Sequence, residues 1–325
     1  MGGARRPRAG RARRGASREE RHSPVNVWVA IPHYGPPEPT LELLDELRSA
    51  TVVPSRIVVV DNDGGLALDD DETVRVLRPG FNSGYGAAVA SASDAALAAG
   101  ADWLWVLNND ARPAADCLEL LLEAGAAAPR AGILSAVIRY RTGGDVWYAG
   151  GTVSPRTLEV RHLHAVRDRS PYWTGFITGC APLLRVALAR ELSPLDDGLF
   201  MYYEDVDWSL RALDGGWGLL VVPDAEVAHD VRREGGRRVF SDAAIYFMVR
   251  NRLLVARRRG DLAPAAGGGL ASPAAAAALW ALRQAAKSRS LPEARRRLAA
   301  CGRGLMDGLA GRRGPAHGAG GAGPS

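Results

Sequence analysis

The sequence predicts a doubly wound α/β sheet followed by a helical extension. Short apolar runs alternate with segments of helical spacing through the first part of the chain. Polar clusters follow three of these runs, and arginine-rich helical segments follow residue 240. Continuous apolar runs are typical of strands buried on both faces of a parallel sheet. Their alternation with helices favours crossover units in a doubly wound fold.

The elements follow in a simple order. We expect strands over 27–31, 56–60, 73–77 and 103–107. We expect helices over 41–47, where leucines recur at helical spacing, over 85–99 and over about 113–124. The segment 139–173 is polar and predicts a hairpin or loop that covers the site. An entry loop and short helix are expected over 199–213, then a strand over 219–222, which the segment 225–229 follows.

Composition limits the class of protein. The chain has 325 residues, of which 47% are hydrophobic and 24% are charged. These values are ordinary for a globular protein and exclude a disordered, collagen-like or polytopic membrane chain. The charge is segregated: residues 1–22 carry +6, residues 252–325 carry +10, and residues 23–251 carry −11. Because the body is acidic, we expect no specific nucleic-acid partner.

The composition also suggests boundaries. We expect a disordered basic tail over 1–23, a main α/β domain over 24–255, a basic helical extension over 256–310 and a disordered tail over 311–325. The uncharged run 262–282 is broken by Pro264 and Pro273. It predicts a loop and a helix that lies on a membrane surface rather than crossing it. Three separated cysteines without a CxxC motif favour the cytoplasm.

Polar residues follow the first, second and fourth predicted strands, at 32–34, 61–63 and 108–110. Ligands of doubly wound sheets bind beyond the carboxyl ends of the strands. Asp110 in this position could hold Mg²⁺ or Mn²⁺ on a diphosphate. Alternatively, it caps a helix that begins at 111–113.

The segment 202–208 places Glu204, Asp205 and Asp207 beside aromatic residues. Crowded carboxylates raise one another's pKa, which suits a general base, or they share a cation. The alternative is an acidic first helical turn in which Asp207 pairs with Arg211. His229 follows the last predicted strand, and an imidazole beside a carboxylate suits Mn²⁺; a purely structural histidine is the alternative.

Five segments in this order resemble family 2 glycosyltransferases of the GT-A fold, in particular their bacterial rhamnosyltransferase-like subgroup. They are IVVVDN at 57–62, FNSGYGAA at 81–88, LNND at 107–110, FMYYEDVD at 200–207 and PDAEVAH at 223–229. The resemblance spans about residues 26–255. The chain departs from the family pattern at His33-Tyr34-Gly35, where Thr-Tyr-Asn is common, at Ala90, where a second Asn is frequent, and at Asn108, the first position of the DXD-type motif.

The resemblance implies a role for each matching residue. The nucleotide-sugar-binding residues would be Pro32, His33, Tyr34, Asp61, Asn62, Asn82, Gly84, Asn108 and Asn109. Asp110 and His229 would hold a divalent metal, Mn²⁺ or Mg²⁺. Asp205 would be the general base, with Glu204 as the second candidate. Arg250-Asn251 matches an Arg-Asn pair late in the domain.

The implied reaction is a single inverting displacement. The donor would be dTDP-rhamnose or else a UDP-sugar. Its sugar would be transferred to a hydroxyl group of a saccharide or lipid-linked saccharide of the cell envelope. The basic helices would hold the enzyme at the anionic inner face of the plasma membrane. A non-catalytic nucleotide-sugar-binding or scaffold protein is the alternative. A nicotinamide-dependent oxidoreductase is disfavoured because the glycine-bearing loop follows the third strand, not the first.

Overall fold

The computed structural model describes residues 25–192, 197–230, 233–234, 237–238, 240–260 and 272–316. The tail expected over 1–23 lies outside the described residues, as do residues 317–325 of the second expected tail. Ten of the described strands form one mixed sheet. The predicted α/β class is therefore confirmed.

The strands are β1 (Val27–His33), β2 (Arg56–Asp61), β3 (Val74–Leu77), β4 (Trp103–Val106), β5 (Ala111–Pro113), β6 (Ala131–Tyr140), β7 (Val146–Tyr148), β8 (Gly151–Val153), β9 (Val160–His162), β10 (Tyr172–Thr174), β11 (Pro182–Arg185), β12 (Gly218–His229), β13 (Arg233–Glu234) and β14 (Arg237–Arg238). The helices are α1 (Glu38–Arg48), α2 (Tyr85–Ala98), α3 (Cys117–Ala127), α4 (Val186–Leu192), α5 (Glu204–Asp214), α6 (Asp242–Arg258), α7 (Pro273–Ala286) and α8 (Leu291–Leu309).

The main path of the sheet runs β10-β12-β6-β11-β4-β1-β2-β3. β1 pairs in parallel with β2 and β4, so the ends of these three strands meet at one edge. His33 stands opposite Asp61 in the β1–β2 register. β11 runs antiparallel between β4 and β6, which makes the sheet mixed. The predicted edge with its polar residues therefore forms.

The sheet is buried on both faces. Val29 and Ile31 of β1 belong to one apolar cluster, whereas Ala30 between them belongs to a second cluster on the opposite face. Successive side chains of a strand point to opposite faces. Each position of such a strand therefore has to be apolar, which explains the continuous apolar runs.

One expected helix begins later than the sequence predicts. Ala111–Pro113 forms β5 and pairs with β12, whereas α3 spans Cys117–Ala127 and has Asp116 at its N-cap. Proline at an edge strand is acceptable because the strand needs no donor there. The interpretation of Asp110 as the cap of a helix starting at 111–113 is therefore wrong.

The carboxyl-terminal helices α6, α7 and α8 share a third apolar cluster with Phe200. The expected boundary between residues 255 and 256 falls inside α6. Gly314, placed in a tail by the sequence, hydrogen-bonds through its N–H to the carbonyl of Gly198. Residues 262–271 lie outside the described residues. Within the part that is described, no helix is long and apolar enough to cross a membrane.

Candidate active site

The β5–β12 pairing brings Asp110 and His229 together. In this pairing His229 stands opposite Ala111, the residue that follows Asp110. The Asp110 Oδ1 atom lies 3.1 Å from His229 Nε2. Burial disfavours the charged imidazole, but neighbouring Cys180 and Asp110 outweigh it and raise the pKa of His229 well above its usual range. Two residues 119 positions apart thus share one polar contact.

Asn108 completes this group. Its Nδ2 atom lies 3.4 Å from His229 Nε2, and its buried Oδ1 atom has no hydrogen-bond partner. A carboxylate, an imidazole nitrogen and an unsatisfied amide oxygen are a donor set that suits Mn²⁺. These residues therefore fit a divalent cation.

The first turn of α5 supplies two carboxylates to the same site. Glu204 is only 6% exposed, and its Oε2 atom has no hydrogen-bond partner. Burial, reinforced by the neighbouring Asp205 charge, raises the pKa of Glu204 well above its usual range. Asp205 is half-buried and accepts a 3.0 Å hydrogen bond from the Gly179 N–H. The two adjacent carboxyl groups therefore have different environments.

Asp207 belongs to a structural ion-pair group. It is 2% exposed and contacts Arg211 Nε and Arg258 Nη1, each at 2.9 Å. The expected i+4 pairing with Arg211 is confirmed. Asp207 therefore joins α5 to α6, and two carboxylates of the acidic segment remain for chemistry.

A second polar group lies at the ends of β1 and β2. Among the described residues, His33, Asp61 and Asp63 have ligand atoms close enough for a shared cation. Asp61 already accepts hydrogen bonds from the Gly64 and Leu66 N–H groups. Burial lowers the pKa of His33, so its imidazole is neutral at pH 7. Its Nε2 atom is buried without a partner, 3.7 Å from Asp63.

The loop before α2 is tied to this edge. Asn62 Oδ1 accepts hydrogen bonds from the N–H and hydroxyl of Ser83, and Asn82 Oδ1 accepts one from the Gly84 N–H. Gly84 has φ 87°. An added Cβ there would lie 2.4 Å from the Phe200 carbonyl oxygen. The loop and the segment before α5 are therefore in van der Waals contact.

A cavity of about 580 Å³ lies in front of these groups. Of the predicted site residues, it is lined by Asn108, Glu204, Asp205 and His229. The other predicted residues do not line it: Pro32, His33, Tyr34, Asp61, Asn62, Asn82, Gly84, Asn109 and Asp110. Among these, Asp110 contacts the cavity residue His229, whereas His33 and Asp61 lie at the β1–β2 end of the edge.

Several lining residues were not predicted from the sequence. They include Tyr85, Trp147, His162, Thr178, Gly179 and Trp280. The Trp147 ring lies 5.2 Å from both His162 and His229, measured between ring centroids. The only sequence signal for Gly179 was a glycine in front of a short apolar run. Trp147 and His162 lie in the segment that was expected to cover the site.

Comparison with known proteins identifies the family. The model of glycosyl transferase family 2 matches residues 28–192. The chain belongs to this family. It is 32% identical over 242 residues to the N-acetylglucosaminyl-diphospho-decaprenol L-rhamnosyltransferase of Mycobacterium tuberculosis, a match that covers 65% of this chain and 78% of the relative.

Two further matches agree. The dTDP-rhamnosyl transferase RfbF of Shigella flexneri is 22% identical over 244 residues, covering 72% of this chain and 80% of the relative. The mannosyltransferase PcManGT from Pyrobaculum calidifontis, solved with GDP-Man and Mn²⁺, superposes with a TM-score of 0.51 at 17% identity. That match covers 87% of each chain. The chain is a glycosyltransferase of the GT-A fold, similar to rhamnosyltransferases.

Proposed function

We propose that this glycosyltransferase moves rhamnose from dTDP-rhamnose to a hydroxyl of a lipid-linked saccharide, with inversion. One observation carries the proposal. Asp205 and His229, which contacts Asp110, line the same cavity although they come from different elements. A base and a leaving-group site around one bound sugar are what an inverting displacement would need. Both relatives named above are rhamnosyltransferases by description.

On the donor side, Asn108, Asp110 and His229 would hold Mn²⁺ or Mg²⁺. Such a cation, when bound, stabilises the negative charge of a leaving nucleoside diphosphate. Asp61 and His33 lie further along the same edge, where they would contact the base and ribose. Asn82 and Gly84 would shape the wall between nucleotide and sugar. These roles are those that the family resemblance implies, and β1, β2 and β4 end side by side at this edge of the sheet.

On the acceptor side, Asp205 suits the general base better than Glu204. Burial raises the pKa of Glu204, which favours its protonated form, and a protonated carboxyl group is a poor proton acceptor. Asp205 is partly open to the cavity and is held by the Gly179 N–H. As the acceptor oxygen attacks the anomeric carbon, its proton would move to Asp205.

The cavity suits a saccharide carried on a lipid. Aromatic side chains such as Trp147, Tyr202 and Trp280 line it, and flat apolar rings pack well against sugar faces. Phe240, Met248 and Trp280 form an apolar wall beside α6 and α7, with Phe240 and Trp280 in edge-to-face contact. The name of the mycobacterial relative gives N-acetylglucosaminyl-diphospho-decaprenol as its acceptor. We extend that acceptor class to this chain.

The outer face of α8 suits an anionic membrane surface at the cytoplasmic side. Leu291, Leu298, Met306 and Leu309 are 67%, 43%, 64% and 54% exposed and recur at helical spacing. Arg295 and Arg303 are exposed beside them. An apolar helical face flanked by arginines is typical of helices that lie in a lipid interface. This face would bring the enzyme to a lipid-linked acceptor.

Donor binding tests the proposal. Calorimetry would compare dTDP-rhamnose with UDP- and GDP-sugars, with and without Mn²⁺. We expect tight binding of dTDP-rhamnose that requires the metal and is lost in Asp110→Ala. Asp116→Ala, an exposed aspartate at the N-cap of α3, is the matched control. If no nucleotide sugar binds with or without metal, the proposal fails and the alternative of a scaffold protein on the same fold is favoured.

A further inference from the structure

The segment that leads into α5 has a strained backbone. Phe200, Tyr202 and Tyr203 have φ values of 64°, 65° and 72°, although none of them is glycine. Within the described part of the chain, Leu158 is the one other non-glycine residue with positive φ. Bulky residues rarely adopt this conformation and persist in it only where surrounding contacts hold them there. Such contacts must therefore exist around residues 200–203.

Two side chains of α6 supply them. Asn251 Nδ2 lies 2.7 Å from the Leu199 carbonyl oxygen and 2.8 Å from those of Met201 and Tyr202. Arg250 Nη2 donates to the Leu199 carbonyl oxygen at 2.9 Å.

The pair is also fixed internally. Arg250 Nε donates to Asn251 Oδ1 at 2.9 Å, which orients the amide toward the three carbonyl groups. Arg250 is 1% exposed and Asn251 is 0% exposed. The third branch of the guanidinium, Nη1, donates to the Gly314 carbonyl, so the carboxyl-terminal segment completes the contact. Buried polar side chains that hydrogen-bond each other and several backbone carbonyl groups act as a rigid support.

The supported segment connects the two halves of the site. Its last residue, Tyr203, is the N-cap of α5, and Asp205 is the second residue of that helix. The Phe200 carbonyl oxygen accepts a hydrogen bond from Gly86 at the start of α2. Neither Arg250 nor Asn251 lines the cavity. Their contacts can therefore affect the position of Asp205 but not the chemistry directly.

We propose that Arg250 and Asn251 are positioning residues that hold Asp205 against the acceptor by fixing the backbone of residues 199–203. The inference rests on the proposed function for its kinetic consequence. A carboxylate displaced by about 1 Å from its productive place can lose about 100-fold in rate. Donor binding should change much less, because Asn251 contacts the carbonyl groups of residues 199, 201 and 202 and not that of Phe200, which receives the Gly86 N–H.

The test compares Asn251→Ala with Gln284→Ala. Gln284 is a buried amide of α7, 6% exposed, and provides the matched control. Arg250→Lys, which keeps the charge but loses the branched donor, is the second variant should Asn251→Ala not fold. The readouts are kcat and donor KM for rhamnosyl transfer, and hydrogen exchange of the backbone amides of residues 199–206.

We expect kcat to fall at least tenfold in Asn251→Ala, with donor KM within about twofold of wild type and faster exchange confined to residues 199–206. Gln284→Ala should keep the wild-type kcat. An unchanged kcat in Asn251→Ala, or an equal loss in Gln284→Ala, overturns the proposal. If the wild-type protein transfers no sugar, the proposed function fails. The hydrogen-exchange data then still test the support by Asn251, which is rejected if exchange over residues 199–206 is the same in Asn251→Ala and wild type.

Discussion

Replacing Gly84 by alanine tests the contact between the loop that precedes α2 and the segment before α5. Gly84 has φ 87° and ψ 169°, a combination that is essentially restricted to glycine. An added Cβ would lie 2.4 Å from the Phe200 carbonyl oxygen and 2.6 Å from its ring. Backbone and ring would both have to move.

The expected cost has two parts. Holding a non-glycine residue in this backbone region costs about 1–3 kcal/mol. Inserting a methyl group into a packed contact costs about 1–3 kcal/mol more. Gly84→Ala should therefore lower the free energy of unfolding by about 2–6 kcal/mol. Gly80 has φ 80° but nothing within 4 Å of an added Cβ, so Gly80→Ala should cost only about 1–2 kcal/mol.

Urea unfolding followed by tryptophan fluorescence would measure both variants beside wild type. The expected order of midpoints is wild type, then Gly80→Ala, then Gly84→Ala. Gly84→Ala should also lower sugar transfer, because Phe200 adjoins the segment that carries Asp205. Equal midpoints for the two variants would show that the Phe200 contact contributes nothing, and would refute the reasoning.

Three further predictions concern Glu204, Asp110 and the exposed apolar face of α8. Burial raises the pKa of Glu204 in the folded state, whereas the unfolded chain releases this proton above about pH 4.5. The contribution of the protonated carboxyl group to the free energy of unfolding is therefore present at low pH and is lost as the pH rises toward the folded-state pKa. The unfolding free energy of Glu204→Gln, measured relative to wild type by urea titration, should therefore rise between pH 5 and pH 8. A difference that stays constant over this range would contradict the raised pKa. Asp110→Ala should weaken Mn²⁺-dependent donor binding at least tenfold by calorimetry, and binding equal to that of Asp116→Ala would remove Asp110 from the metal site. The double variant Leu298→Ser/Met306→Ser should no longer sediment with anionic phosphatidylglycerol vesicles. The control Leu41→Ser/Val53→Ser, which changes exposed apolar positions outside α7 and α8, should still sediment with them. Equal sedimentation of the two double variants would show that the α8 face does not bind the membrane.

The parallel strands β1, β2 and β4 could be predicted because their sequence signal is local. A strand buried on both faces, such as Ile57–Val60 of β2, has to be apolar at each position. The polar residues that follow it mark the strand end. For the same reason the meeting of the β1, β2 and β4 ends followed from topology alone.

Other features depend on contacts that are distant in sequence. β5 has only three residues and exists because β12 pairs with it, so no local pattern marks it. Trp147 and His162 reach the cavity through short strands that have no clear periodicity. The Asn251 contacts with Leu199, Met201 and Tyr202 join positions about fifty apart, and the resemblance marks the Arg250-Asn251 pair but not what it contacts.

The catalytic assignment at the centre of this account is tested most directly by one assay. Rhamnosyl transfer from dTDP-rhamnose to an N-acetylglucosaminyl-diphospho-polyprenol would be followed with wild type, Asp205→Asn and Glu204→Gln, alongside donor binding. We expect Asp205→Asn to bind the donor normally but to transfer the sugar at least 100-fold more slowly, since a positioned base contributes about 10²–10⁴-fold. Glu204→Gln should retain most of the activity. Normal transfer by Asp205→Asn would contradict the assignment of Asp205 as the base.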